Sequence, residues 1–236
     1  MKSEAIILAG GFGTRLKSVV DDVPKPMAMI GNKPFLTYIL DQLQVSNCKK
    51  AVMAVGYKHE AIIDYFGKSY KSIALEYSIE DKPLGTGGAI LNAANLISSP
   101  NFLVLNGDSY FNIDLSDFER QFSKNKAPLL IALKRMSNFD RYGTVEIDGS
   151  RIKSFSEKKL CNNGLINSGI YLISKEWYKS YAPGKIFSFE KDILEKYFLE
   201  DVLTAHEYYG YFIDIGIPDD YRKAVMEMGK KDNRQK

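Results

Sequence analysis

Ala5-Ile6-Ile7-Leu8-Ala9-Gly10-Gly11-Phe12-Gly13-Thr14-Arg15-Leu16 is the stretch on which the fold turns. Its apolar start, with β-branched Ile6 and Ile7 and glycines behind, is too short for a buried helix and reads as a buried strand, Ala5–Ala9. In an open α/β sheet, ligands bind beyond the carboxyl ends of the strands, so the loop after this strand stands where a site forms. Gly10, Gly11 and Gly13 let the backbone turn and bring successive N–H groups close to an anion, a nest suited to phosphate oxygens. Arg15 adds a planar cationic fork. Ten residues on, Pro24-Lys25-Pro26-Met27 holds a second cation between two prolines that stiffen its backbone, which suits a fixed point charge against a phosphate.

Other glycine-loop chemistries fit poorly. A dinucleotide fingerprint needs a third glycine where Leu16 stands, and Gly31-Asn32-Lys33-Pro34 breaks the Walker A pattern in several places. A purely structural glycine turn has no use for Arg15 or for the proline-flanked Lys25.

Outward from this loop, the first half alternates strand and helix patterns. Helices are expected at Pro34–Val45, His59–Phe66, Gly88–Leu96 and Leu115–Phe122, the last with Asp114 as its cap. Strands are expected at Ala51–Val55, Ile73–Ile79 and Phe102–Leu105. That alternation indicates βαβ units and a parallel sheet. The second half is richer in strands, at Pro128–Leu133, Gly143–Ile147, Ile152–Phe155 and Gly169–Ile173, with Asp148-Gly149 as a hairpin turn. Two more helices are expected at Phe189–Phe198 and Pro218–Met228. The expected class is therefore α/β: a Rossmann-like mixed, mostly parallel sheet flanked by helices, with a smaller antiparallel region on the substrate side. Residues 1–228 make one domain, and 229–236 a basic, flexible tail.

Composition narrows the function. With 45% hydrophobic and 26% charged residues among 236, a disordered chain and a disulfide scaffold are excluded. The net charge of +3 resides wholly in the tail, which carries four Lys/Arg and one Asp, so it gives no warrant for nucleic acid or membrane binding. Cys48 and Cys161 share no metal-ligand spacing with each other or with His59 and His206, and His59 reads as exposed and without a partner. No apolar run approaches the roughly 20 residues of a membrane span and no leader pattern is present, so a cytoplasmic protein is expected.

Leu8–Leu16 with Pro24–Met27 resembles the signature of the sugar-1-phosphate nucleotidyltransferases, the nucleoside-diphosphate-sugar pyrophosphorylases. Further segments match in the same order along nearly the whole chain: Pro83–Gly88, Asn106–Asp108, Arg141–Gly143, Phe155–Lys158, Ile166–Tyr171 and Phe212–Pro218. Each is weak alone; in sequence they are specific. Within the family the chain most resembles the D-glycero-D-manno-heptose 1-phosphate guanylyltransferases, then the mannose-1-phosphate guanylyltransferases. It departs from common family forms at Lys159, where Pro is frequent, at Phe212, where Trp is frequent, and at Ile217, where Thr is frequent.

The resemblance implies an enzyme of nucleotide-sugar biosynthesis, serving capsule or surface polysaccharide, that transfers GMP from GTP to a sugar 1-phosphate with Mg²⁺. It implies a nucleotide site of Leu8, Ala9, Gly10, Gly11, Gly13, Thr14, Arg15, Lys25, Glu80, Pro83, Gly85, Thr86 and Asp108. Gly143, Glu157, Lys158, Asn167 and Ser168 would hold the sugar phosphate. Asp108 and Asp214 would hold the metal, and Arg15, Lys25, Asp108, Lys158 and Asp214 form the catalytic set. Read singly, Gly107-Asp108 is a turn and Glu157-Lys158 a solvated pair. A homo-oligomer is compatible with the sequence.

Glu80 bears on the base. It stands where thymidylyl- and uridylyl-transferring relatives often carry Gln, and an ionised carboxylate only accepts hydrogen bonds. Guanine offers adjacent donors, N1–H and the 2-amino group; uracil and thymine offer one N–H between two carbonyls, and cytosine and adenine an unprotonated ring nitrogen. GTP is the donor this favours, with a surface Glu in the turn Glu80-Asp81-Lys82 as the alternative. Cytidylyl, thymidylyl or uridylyl transfer, and a non-catalytic nucleotide-sugar sensor, remain the rival functions. The joint presence of Arg15, Lys25, Asp108, Lys158 and Asp214 speaks against the sensor.

Overall fold

A computed structural model of the chain describes residues 4–11, 16, 23–156, 160–200 and 202–232. The first half contains β1 (Glu4–Leu8), a 3₁₀ turn at Lys25–Met27, β2 (Met29–Ile30), β3 (Lys33–Pro34), α1 (Phe35–Val45), β4 (Lys50–Val55) and α2 (His59–Phe66). It continues through β5 (Ser69–Tyr70), β6 (Ile73–Ile79), α3 (Gly85–Ala93), β7 (Asn101–Asn106), β8 (Ser109–Phe111) and α4 (Leu115–Asn125). The second half holds the long strand β9 (Leu129–Phe139), β10 (Thr144–Asp148), β11 (Arg151–Ser156), the longer β12 (Cys161–Ser174) and α5 (Lys175–Tyr181). A π-helical turn at Glu190–Leu194 leads into the short α6 (Glu195–Tyr197), then β13 (Leu203–Tyr208), β14 (Phe212–Asp214) and α7 (Pro218–Asp232).

Ten strands form one sheet in the order β10-β11-β13-β9-β12-β7-β1-β4-β6-β5. The expected parallel part is the run β7-β1-β4-β6, and β9 and β13 are also parallel. Among the described residues four of its nine junctions are parallel, so the sheet is evenly mixed rather than mostly parallel. The reason is β12, which lies antiparallel to both β7 and β9 and joins the two halves.

The period of two along the strands divides the core between the two faces. Ala5, Ile7, Met53 and Leu103 pack on one side with Leu36, Ile39, Leu40 and Leu43 of α1 and Phe118 of α4. Ile6, Val52, Phe102 and Val104 pack on the other with Ala89, Ile90 and Ala93 of α3 and Tyr178 of α5. Asp114 caps α4 as expected, accepting from the N–H groups of Ser116 and Asp117 at 2.8 and 3.1 Å, a contact worth about 1 kcal/mol. The last helix corrects the tail: α7 runs through Asp232, and Gly229 is buried against Gly31, so the first residues of 229–236 continue the helix. Among the described residues no helix is long and apolar enough to cross a membrane.

Candidate active site

Two cavities open at the carboxyl edge of the sheet. The first, about 780 Å³, is lined by all the expected nucleotide-side residues that the structure describes: Leu8, Ala9, Gly10, Gly11, Lys25, Glu80, Pro83, Gly85, Thr86 and Asp108. The second, about 550 Å³, is lined by Gly143, Asn167 and Ser168 of the expected sugar-phosphate set, together with Asp214. Lys25, Asn106, Asp108 and Glu190 line both cavities and mark where they meet. Gly13, Thr14, Arg15, Glu157 and Lys158 lie outside the described residues.

Local structure delivers these groups to the junction. Gly107 comes directly after β7 and donates to the Leu8 carbonyl at 2.9 Å; a Cβ there would lie 2.5 Å from that oxygen, so only glycine lets the chain turn this tightly against β1. The turn sets Asp108 at the edge. Asp214 closes β14, which pairs with β8 in a register that puts it opposite Ser109, and the Ile215 N–H donates to the Asp108 carbonyl at 2.9 Å. Two short paired strands thus bring carboxylates from residues 108 and 214 together.

Lys25 sits in the 3₁₀ turn, which is closed by Met27 N–H to the Pro24 carbonyl at 2.8 Å. Its side chain is 11% exposed, and its Nζ donates to Asp108 Oδ2 at 2.7 Å. Burial pushes the Asp214 carboxyl above the usual range, with the Asp108 charge adding to it, while the Gly216 N–H, Lys25 and Arg141 pull it down. Two facing carboxylates, one held up by burial and by the other's charge, form a donor set that a divalent cation would relieve. Among the described residues no group of three or more His, Cys, Asp or Glu could hold a metal. Any cation here therefore needs phosphate and water oxygens as well, the usual habit of Mg²⁺.

The second cavity depends on an irregularity. The pairing of β12 with β9 shifts register between Asn167 and Tyr171, and such a bulge re-aims side chains. Asn167 is anchored there, donating through Nδ2 to the Tyr171 hydroxyl at 2.8 Å and accepting through Oδ1 from the Gly169 N–H at 3.1 Å. Ser168, which also lines the second cavity, is 2% exposed and its hydroxyl donates to the Ala132 carbonyl at 2.7 Å, tying β12 to β9. Tyr142 and Arg141 stand beside Asp214, with the Tyr142 hydroxyl 3.5 Å from Asp214 Oδ2 and Arg141 donating to that hydroxyl at 3.0 Å.

On the nucleotide side, Glu80 is half-buried, and its Oε2 accepts from the Leu84 N–H at 3.1 Å. Burial raises its pKa and that hydrogen bond opposes the rise. Thr86, which also lines this cavity, donates through its hydroxyl to Glu190 Oε2 at 2.7 Å and accepts from the Phe189 N–H at 2.9 Å, so it fastens the segment before the π turn. That segment crosses α3 closely. At Gly85, φ is +72° and a Cβ would lie 2.5 Å from the Phe187 carbonyl oxygen, which demands glycine twice over.

Sequence reasoning misses Glu190, Asn106 and His59 as site residues. His59 reads as exposed and idle in the sequence, yet it lines the first cavity because α2 begins at the carboxyl end of β4. Glu190 carries no local signal, since a π turn has no period distinct enough from a helix to read. Asn106 is legible: it lies within the Asn106-Gly107-Asp108 match.

Comparison with known proteins is consistent with this geometry. A family model described as nucleotidyl transferase matches residues 4–231. The chain is 49% identical over 226 residues to the D-glycero-alpha-D-manno-heptose 1-phosphate guanylyltransferase of Aneurinibacillus thermoaerophilus, covering 95% of this chain and 98% of that relative. It is 46% identical over 219 residues to the protein of the same name from Campylobacter jejuni, covering 92% and 96%. A crystal structure of HddC from Yersinia pseudotuberculosis complexed with GMP-PN matches with a TM-score of 0.85 and 40% identity, over 96% of this chain and 99% of that one.

Proposed function

The chain belongs to the nucleotidyl transferase family, and on that premise we propose that it transfers GMP from GTP to D-glycero-D-manno-heptose 1-phosphate, yielding the GDP-sugar and pyrophosphate. The observation that carries a transfer reaction is the meeting of two cavities at Lys25, Asn106, Asp108 and Glu190. The guanylyl and heptose assignments are supported by the relatives at 46% and 49% identity.

A phosphate oxygen of the sugar 1-phosphate attacks the α-phosphorus; a new P–O bond forms as the bond to the β-phosphate oxygen breaks, and pyrophosphate departs with its electron pair. The nucleophile is already an anion, so no side chain need remove a proton. The barrier lies in bringing two polyanions together, so positioning and charge neutralisation carry the catalysis. Lys25, on its stiff turn, is assigned to the charge that develops at the α-phosphate. Arg15 and the glycine loop are assigned to the triphosphate, and Lys158 to the incoming sugar phosphate. Asp108 and Asp214 would hold Mg²⁺, which when bound neutralises phosphate charge and orients the reacting groups. Asn167 and Glu157 are assigned to sugar hydroxyls, beside the Gly143 backbone.

Pyrophosphate release, measured with GTP, CTP, UTP, dTTP and ATP against heptose, mannose and glucose 1-phosphates, tests the proposal. GTP with the heptose 1-phosphate is expected to give the highest kcat/KM. A faster reaction with CTP or dTTP would overturn the base, one with mannose 1-phosphate the sugar, and absence of turnover with every pair the enzymatic reading itself.

A further inference from the structure

Strands β7, β1, β4 and β6 are parallel neighbours, so their carboxyl ends form one continuous rim. The groups suited to phosphates stand at one end of it: Asp108 beyond β7 with Lys25 against it, and Gly10 and Gly11 beyond β1. Glu80 stands at the other end, directly after β6. A nucleoside triphosphate laid along the rim with its phosphates over β7 and β1 would set its ribose over β1 and β4 and its base over β4 and β6. The base would then meet two segments, the turn at Glu80 and the chain leaving β4, Gly56-Tyr57-Lys58-His59.

The second segment is fixed against the first. A Cβ on Gly56 would lie 3.9 Å from the Glu80 Cβ, and the Glu80 N–H donates to the Val55 carbonyl at 2.9 Å. The His59 N–H donates to the Gly56 carbonyl at 3.2 Å, and His59 Nδ1 lies 3.1 Å from the same oxygen. Lys58 starts α2 in the left-handed conformation, φ 51°, with its ammonium 5.6 Å from the centre of the Tyr57 ring; both residues line the cavity that Glu80 lines.

Guanine has two chemically opposite edges. Its N1–H and 2-amino group donate, and O6 and N7 accept. A carboxylate can only accept and an ammonium can only donate, so a pocket lined by both Glu80 and Lys58 offers a partner to each edge. We propose that Lys58 reads the O6/N7 edge of guanine, as a specificity-determining residue that complements Glu80. Adenine puts a 6-amino donor against the same ammonium, and pyrimidines lack N7 altogether. This inference rests on the guanylyl reading above.

The test compares kcat/KM for GTP, 7-deaza-GTP (N7 replaced by C–H) and ITP (no 2-amino group) in the wild type, Lys58→Met and Lys58→Arg. The wild type should prefer GTP to 7-deaza-GTP by on the order of tenfold. Lys58→Met should bring that ratio close to one while leaving the GTP-to-ITP ratio, which Glu80 sets, unchanged; Lys58→Arg should retain part of the preference. A structural role for Lys58 would lower all three substrates together. An unchanged GTP-to-7-deaza-GTP ratio in Lys58→Met, or no discrimination by the wild type, overturns the assignment. CTP, UTP and dTTP in the same panel separate the two readings: a wild type that prefers one of them defeats the guanylyl reading as well.

Discussion

The two cavities are built from one sheet by different means. The nucleotide cavity takes much of its wall from the turns after four adjacent parallel strands, with Gly10 after β1, Lys58 after β4, Glu80 after β6 and Asp108 after β7, while Lys25 and Glu190 reach it from elsewhere. The sugar cavity is assembled across distance, from a bulge in β12, the turn before β10, the end of β14 and a π turn. A parallel rim is thus specified locally, whereas the antiparallel wall depends on register between segments far apart in the chain.

The junction should show the largest effect, because it serves both walls. Asp108→Asn removes a charge from the facing carboxylates and the ion-pair partner of Lys25, and kcat should fall on the order of a hundredfold or more. Retained turnover with an unchanged Mg²⁺ titration would break the idea that the cavities share a metal-assisted centre.

Two lysines, one assigned to each wall, come next. Lys25→Ala should lower kcat on the order of tenfold to a hundredfold with little change in the KM for the sugar phosphate, since the assigned contact strengthens in the transition state. Lys158→Ala should mainly raise that KM. A Lys158→Ala enzyme weakened for GTP instead would move that residue to the other wall.

Local specification explains why some elements are readable from sequence. The helix at His59–Phe66 and the strand at Ile73–Ile79 match their expected bounds, because each carries its own period and flanking breakers. Expected strand Gly169–Ile173 is in fact Cys161–Ser174; Asn162-Asn163-Gly164 has turn composition, and pairing with Ser137 and Met136 of β9 overrides it. Helix α3 begins at Gly85, not Gly88, because the glycines disfavoured in a helix are the ones that admit Phe187. The site obeys the same rule. Most residues that the sequence singles out and that line the first cavity follow strand ends, while the place of Glu190 and the hydrogen bond of the Ser168 hydroxyl depend on packing.

A smaller effect is expected at Gly85. Gly85→Ala forces a Cβ toward the Phe187 carbonyl at a positive φ, which should cost about 1–3 kcal/mol in a urea melt and raise the KM for GTP. An unchanged melt would mean that the segment over α3 shifts freely, and the nucleotide wall is softer than its contacts imply.

The smallest effect on folding belongs to Glu80. Burial holds its carboxyl above the usual range, so its contribution to stability is fully present below the unfolded pKa and lost as pH rises through the folded one. Glu80→Gln should therefore leave the neutral-pH melting temperature unchanged or slightly raised while eroding the preference for GTP over ITP. The same raised pKa makes guanine recognition fail early on acidification. The wild-type KM for GTP should climb at a higher pH than an ordinary glutamate would give, and Glu80→Gln should lack that limb. A pH profile identical in the two enzymes would remove Glu80 from the base site.

Two cavities that meet at Lys25 and Asp108 imply direct transfer between bound substrates, with no intermediate on the protein. Turnover of GTPαS of known configuration with the sugar 1-phosphate, followed by assignment of the product's phosphorus stereochemistry, decides the matter. A single in-line displacement predicts inversion at the α-phosphorus. Retention would require two displacements through a nucleotidyl-enzyme, and direct transfer would be refuted.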